Sequence, residues 1–365
     1  MSTPEQESPF ILDPQGNPTP QIDLDVMRHF VGKKAIRVGR HPEDELTIYN
    51  YNSAYMEEHG YAVHPLVGIS RGLILDNEGY IKARPFSQLT ELDEDDELSE
   101  GKRSYFEKID GTMLVQYTDS KGELHAATRT SFSARHAVAG TELLREYQGY
   151  PFDPNLTYIW EMVHPDLRDN LIVEYGDRKD ITLLGSIATA TGIEVPLPRQ
   201  ADVPFPVVKE YAEPLFESVR SIRALDWQNR EGVVVRMDSG PQAGERFKVK
   251  FPTFEFLTME KRGEVEYWLY DRLLEGKSFS KSIGRAPESV RPMIIRHVRE
   301  LEGKIDDASA NVYAALRGET VDLDNKEQQI FFSAKRLIQR MAAELLGIKP
   351  PKRNTGRQKG NQQEG

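Results

Sequence analysis

The sequence predicts an α+β protein: a larger domain built on antiparallel sheet, followed by a small all-helical domain. Three observations carry this. From about residue 30 to 252 the apolar residues fall in short β-like runs broken by Gly, Pro and Asp. After about 253 they take up helical spacing instead. The chain has 365 residues, 38% hydrophobic and 29% charged, which is enough to bury the cores of two soluble domains rather than one.

The elements follow in order. Residues 1–25 open with five prolines in the first 20 positions and few apolar residues, so they read as a flexible lead. Residues 26–252 form the sheet domain. Its strands are Gly72-Leu-Ile-Leu-Asp, Met113-Leu-Val-Gln-Tyr, Tyr158-Ile-Trp-Glu-Met-Val, Asp180-Ile-Thr-Leu-Leu, Gly232-Val-Val-Val-Arg and Phe247-Lys-Val-Lys-Phe. One helix is expected from Ser133 to Tyr147, with Ser133 as its cap. Residues 253–348 form the helical domain. Its segments are Tyr267-Trp-Leu-Tyr-Asp-Arg-Leu-Leu, Met293-Ile-Ile-Arg-His-Val-Arg-Glu-Leu and Ile330 to Leu346, the last ended by Gly347. Residues 349–365 are a basic, Pro/Gly/Gln-rich tail, read as disordered.

Composition narrows the function. There are no cysteines, which excludes disulfides, thiolate metal sites and cysteine nucleophiles. No apolar run approaches the roughly 20 residues that span a bilayer, and the N-terminus lacks the basic and apolar regions of a secretory signal. The net charge of −11 disfavours a protein that coats nucleic acid non-specifically. Much of the acid sits in Glu91-Leu-Asp-Glu-Asp-Asp-Glu-Leu-Ser-Glu100, which reads as a solvated loop or helix face.

Four motifs carry chemistry. The first is Glu107-Lys108-Ile109-Asp110-Gly111-Thr112; a Lys-x-Asp-Gly by itself is an ordinary turn sequence. The second is Glu161, an acid inside the apolar strand Trp160-Glu161-Met162. The third is Arg230-Glu231-Gly232, an acid opening a strand. The fourth is Phe247-Lys248-Val249-Lys250-Phe251, whose period of two puts both ammonium groups on one strand face and the apolar residues on the other. Each has a plain structural explanation alone. In this order they make a set that chance seldom assembles.

This ordered set resembles the motifs of the covalent nucleotidyltransferases: DNA ligases, RNA ligases and mRNA capping enzymes. The match is nearest to the RNA ligase 1 family of the T-even bacteriophages. Tyr49-Asn50-Tyr51, Ser70-Arg71-Gly72, Ala83-Arg84-Pro85-Phe86, Thr128-Arg129-Thr130-Ser131 and Asn170-Leu-Ile-Val-Glu-Tyr175 support that narrower likeness. It covers about 45 to 255. Two departures stand out: Gln88 and Arg129 occupy positions where the family has lysine.

The resemblance implies a ligase-type nucleotidyltransferase domain, ATP-grasp-like, and an ATP-dependent RNA ligase that joins 5′-phosphate and 3′-hydroxyl ends of single-stranded RNA. Lys108 takes up AMP. Tyr49, Arg71, Asp110, Arg129, Glu161, Leu184, Lys248 and Lys250 form the nucleotide site. Glu231 is the metal-side carboxylate, and Glu275 in Leu273-Leu274-Glu275-Gly276 is a second metal candidate. The cofactors are ATP and Mg²⁺, with Mn²⁺ as a substitute. The partners are single-stranded RNA ends, broken tRNA among them. A monomer is expected, with no membrane, in the cytoplasm of a bacterium or phage-infected cell. A lysine amine attacks only when unprotonated, and its ordinary pKa is about 10.4. Lys248, Lys250 and Mg²⁺ are therefore expected to disfavour its ammonium form. Two alternatives stay open: a single-strand DNA ligase or other lysine-AMP enzyme of the superfamily, and a catalytically silent nucleic-acid-binding relative.

Overall fold

A computed structural model describes residues 8–60, 64–168, 171–212 and 217–316, with side chains described as far as residue 303. The chain divides into two compact units, Met1–Arg262 and Gly263–Gly365.

The first unit begins with β1 (Phe10–Leu12), β2 (Pro18–Ile22), α1 (Leu24–Gly32), β3 (Ile36–Arg40), β4 (Leu46–Tyr51), α2 (Ser53–His59), α3 (Pro65–Ile69), β5 (Arg71–Asp76) and β6 (Ile81–Ala83). Next come β7 (Thr90–Glu91), β8 (Arg103–Lys108), β9 (Thr112–Thr118), β10 (Leu124–Ala127), α4 (Arg135–Arg145), β11 (Leu156–Val163) and β12 (Asp180–Ala188). It ends with β13 (Glu194–Val195), β14 (Glu210–Tyr211), α5 (Val219–Leu225), β15 (Gly232–Met237), β16 (Arg246–Lys250) and α6 (Pro252–Arg262). The second unit holds α7 (Val265–Leu274), α8 (Phe279–Arg285) and α9 (Arg291–Leu316). The helix expected over 330–346 and the basic tail lie outside the described residues.

Beside the two-stranded β1-β2 sheet, three larger sheets build the described part of the first unit, in the orders β3-β4-β5-β6, β10-β9-β11-β12-β13 and β14-β8-β15-β16-β7. Every pairing among them is antiparallel except that of β16 with β7. Helix α1 buries Val26, Met27 and Phe30 against Leu73 and Leu75 of the first sheet and Leu66 of α3. The second sheet packs Leu114, Trp160 and Leu183 under Leu143 and Leu144 of α4. The third sheet sets Val233, Val235, Phe247 and Val249 against Val219 and Ile222 of α5 and Phe254 of α6. The remaining faces of the second and third sheets meet over Phe106, Ile109, Val163 and Val208.

The structure corrects three expectations. The stretch read as a flexible lead contains the β1–β2 hairpin. Asp13 Oδ1 accepts from the backbone N–H groups of Gln15 and Asn17 and so closes its turn. Ser133 does not cap α4; the cap position is Ala134, and Ser131 Oγ takes the N–H groups of Ser133 and Ala134 instead. The first unit runs past the expected boundary at 252, because Phe254 belongs to the third sheet's core and Arg223 grips Glu255 at 2.6 Å.

Candidate active site

The strand register places the site before any side chain is considered. In the third sheet Lys108 lies opposite Gly232, and Gly232 opposite Lys250. One step along, Phe106 lies opposite Val234, and Val234 opposite Lys248. Paired residues share a face and neighbours two apart share it too. Phe106, Lys108, Val234, Lys248 and Lys250 therefore stand on one face, while Val233, Val235, Phe247 and Val249 bury the other. Beyond β16, Glu91 pairs with Lys248. Its carboxylate meets Lys248 Nζ at 2.7 Å and Lys250 Nζ at 2.9 Å. The first residue of the acidic run is thus an ion-paired strand residue, and the next, Leu92, enters the core. Among the rest, Glu94 and Asp95 follow the solvated reading, pairing with the exposed Arg220.

The second sheet supplies the opposite wall. Glu161 lies between Met113 and Thr182. Ile159 pairs with Gly185 and Trp160 with Leu183, so Leu184 is the extra residue of a β-bulge. A bulge redirects a side chain out of the regular alternation, and Leu184 lines the pocket. A second bulge lies in β5, where Tyr49 pairs with Leu73 but Asn50 pairs with Arg71, leaving Gly72 unpaired. Gly72 has φ +104°, and a Cβ there would stand 3.1 Å from the Arg129 Cα. The positive φ strains any side chain there, and a Cβ would press on the Arg129 backbone.

A cavity of about 250 Å³ lies between these walls, lined among others by Arg71, Lys108, Arg129, Glu161, Leu184, Phe86 and Arg246. Arg246 is held by Glu194 through two bonds at 2.6 and 3.0 Å, and its guanidinium lies 4.0 Å from the centre of the Phe86 ring. Arg71 donates to Met113 Sδ at 3.4 Å, and its buried Nε has no hydrogen-bond partner. A buried, unsatisfied guanidinium N–H beside Arg129 and Lys108 suits an anionic ligand.

Lys108 itself is held by carboxylates. Its Nζ is 2.7 Å from Glu231 Oε1, and Glu231 is buried. Burial works against the ammonium, but Glu231, Glu161 and Asp110 outweigh it and raise the lysine pKa. Burial pushes Glu161 up to about 8, against the pull of Lys108. Without nucleotide the amine is therefore kept protonated. The expectation that Lys248, Lys250 and Mg²⁺ together disfavour the ammonium applies to the loaded site; in the nucleotide-free protein the carboxylates around Lys108 prevail, and Lys248 and Lys250 are paired with Glu91.

Asp110 fixes the lysine loop. Its Oδ2 accepts from the N–H groups of Ile172 and Val173 at 2.6 and 2.9 Å, and its own N–H donates to Tyr175 Oη at 2.9 Å. The segment Asn170-Leu-Ile-Val-Glu-Tyr175 thus anchors the Lys-x-Asp-Gly turn, although Asn170 lies outside the described residues. Gly111 lets this turn pass close to Glu161; a Cβ there would fall 2.5 Å from the Met162 carbonyl oxygen.

Tyr49 does not line the cavity. It packs against the core under α1. Glu275 caps α7 in the second unit, where it is exposed and paired with Lys277 at 2.7 Å and Arg272 at 3.6 Å. Gln88 buries its Oε1 without a hydrogen-bond partner. Glu91, Phe86 and Arg246 are the residues that sequence reasoning did not assign to the site. Phe86 sat inside a quoted motif, and the signal for Glu91 was its place at the edge of the acidic run.

Among the described residues, groups of three metal-type donors occur at Asp119, Glu123, His125 and at Glu266, His297, Glu300, and neither lines the cavity. Glu231 is a single buried carboxylate beside the cavity's cations. That suits Mg²⁺, which takes one or two protein carboxylates and completes its shell with phosphates and water.

No family model matches the sequence, and no curated protein matches it. Among solved structures, the chain is similar to an archaeal ATP-dependent RNA ligase at 16% identity and a TM-score of 0.45, over 87% of each chain. It is also similar to a protein provisionally described as an ATP-dependent DNA ligase from Aquifex aeolicus, at 15% identity and a TM-score of 0.45, over 90% of this chain and 89% of that one. A Naegleria gruberi RNA ligase with pyrophosphate aligns over 45% of this chain and 53% of its own, at 16% identity and a TM-score of 0.35. All three likenesses are distant. No helix among the described residues is long and apolar enough to cross a membrane.

Proposed function

We propose that this protein is an ATP-dependent RNA ligase that works through a lysyl-AMP intermediate on Lys108. One observation carries the reading: a half-buried lysine amine, gripped by a carboxylate at 2.7 Å, opens on a cavity lined by three arginines. A structural lysine has no need of an unsatisfied arginine beside it. Lys108 attacks the α-phosphorus of ATP, forms a phosphoramide with AMP and releases pyrophosphate. AMP then passes to a 5′-phosphate end, and a 3′-hydroxyl attacks that end and expels AMP.

The chain's own residues divide the work. Arg71 and Arg129 receive phosphate oxygens. Lys248 and Lys250 neutralise the departing charge. Glu161 accepts from the ribose, and Leu184 walls the base. Glu231 would hold Mg²⁺, which supplies charge neutralisation at the transferring phosphoryl group when bound. Asp110 keeps the lysine loop in place. Before attack the ammonium must lose its proton, and the carboxylates that grip it are the acceptors within reach. The preference for RNA over DNA rests on the sequence resemblance to the RNA ligase 1 family.

The test is direct. Protein incubated with α-labelled ATP and Mg²⁺ is denatured and resolved. Label should stay on the wild-type band and vanish with Lys108→Ala. Label that survives this substitution sinks the reading. Adding 5′-phosphorylated single strands of RNA or DNA then decides the substrate.

A further inference from the structure

Glu91 has no place in the mechanism above, yet it is the residue that both Lys248 and Lys250 contact. Its strand, β7, is two residues long and joins β16 in parallel. The register sets Glu91 beside Lys248 on the face that carries Lys108, and one carboxylate oxygen goes to each ammonium. Both lysine side chains are only about a quarter exposed, so this contact lies partly out of water, where geometry is better held than in a surface pair. Burial acts against the Glu91 carboxylate, but the two lysines prevail and hold its pKa below the ordinary value.

We infer that Glu91 is a positioning residue for the lysyl-AMP step, fixing Lys248 and Lys250 at the spacing that receives the charge of the departing pyrophosphate. The inference rests on the ligase reading and names a residue that reading leaves out. Each ammonium has three donors. One is spent on Glu91, and two remain for phosphate oxygens. A free lysine must freeze its long side chain each time phosphate binds; these two are held already. Glu91 also places a negative charge next to the phosphates, which opposes ATP binding. Its two effects therefore have opposite signs: ground-state affinity is weakened, and orientation of the reacting complex is improved.

That opposition gives a readout that a merely structural residue would not produce. Glu91→Gln keeps the strand and one acceptor oxygen but loses the charge. Glu91→Asp keeps the charge but is one methylene shorter, so it cannot bridge both lysines. The rate of label transfer to Lys108 is measured at saturating ATP, and affinity is measured with Mg²⁺ and α,β-methylene-ATP, which cannot react. Both variants should label roughly 10- to 100-fold more slowly, the usual cost of losing a group that orients a contact at the reacting centre. Glu91→Gln should bind the analogue as tightly as wild type or more tightly. An unchanged or faster rate in Glu91→Gln overturns the inference. So does a parallel loss of rate, affinity and thermal midpoint in both variants. If wild-type protein itself takes no label, the ligase reading falls, and this inference with it. A labelled wild type with an unaffected Glu91→Gln sinks this inference alone.

Discussion

Glu161 sits where desolvation and charge act in opposite directions. Its pKa is raised from 4.5 to about 8, chiefly by burial, with Lys108 opposing and Glu231 adding to the rise. Between those values the folded protein holds a proton that the unfolded chain has released. Stability from this group is thus complete below 4.5 and is lost as pH rises through about 8. Glu161→Gln removes the titration. In nucleotide-free protein it should raise the thermal midpoint more above pH 8 than near pH 4.5. Equal gains at both ends would show that Glu161 is not a buried acid. The motif placed this glutamate in a strand, and the strand alternation placed it on the face opposite Trp160. Its neighbours were not readable, because Met113 and Thr182 are 48 and 21 positions away on other strands. Asp110 teaches the same lesson. Its Lys-x-Asp-Gly context marked a turn, but its partners Ile172, Val173 and Tyr175 come from a segment that only folding brings near.

Helix α6 shows how an element finds its domain. Its first turn is capped from outside by Asp226, which has left-handed backbone angles of φ 35° and ψ 48°. The Asp226 carboxylate accepts from Thr253 N at 2.8 Å and Thr253 Oγ1 at 2.7 Å. Asp226→Ala loses both bonds and suits the backbone poorly. It should lower unfolding free energy by about 1–3 kcal/mol, seen as a reduced urea midpoint with unchanged slope. Asp226→Asn, which tolerates the conformation and keeps an acceptor, should recover most of it; if it does not, the cap is not what the helix needs. The change of spacing placed the start of a helical region near 253, with its first named segment at Tyr267. It did not show that Phe254 would face the sheet core, since the stripe of a helix names a buried face and not the partner. The hairpin β1–β2 was missed for a related reason. Five prolines and few apolar residues read as flexibility, whereas Asp13, Gly16 and Asn17 form the turn that joins two strands.

The whole chain carries a net charge of −11, while the cavity gathers Arg71, Arg129 and Lys108. A protein of this kind should hold a strand end by a few phosphates and repel the rest. For a 5′-phosphorylated single strand, the slope of log affinity against log salt should be about −2 to −3, since each phosphate contact contributes roughly −0.7. A slope steeper than about −5 would reveal a basic surface beyond the cavity and overturn this picture. By itself the sequence determined the periodicities of the six strands and of the helical segments it named, the shared face of Lys248 and Lys250, and the order of the four motifs. These are properties of neighbours along the chain, where a period of two or of 3.6 fixes direction. Only the tertiary structure decided what Lys108 touches. Its grip by Glu231, the clamp of Glu91 on both lysines, the exclusion of Tyr49 from the cavity and the turn of Leu184 into it all depend on pairings and bulges between distant strands. Register between such strands is set by collective burial of whole faces, and no single residue announces it.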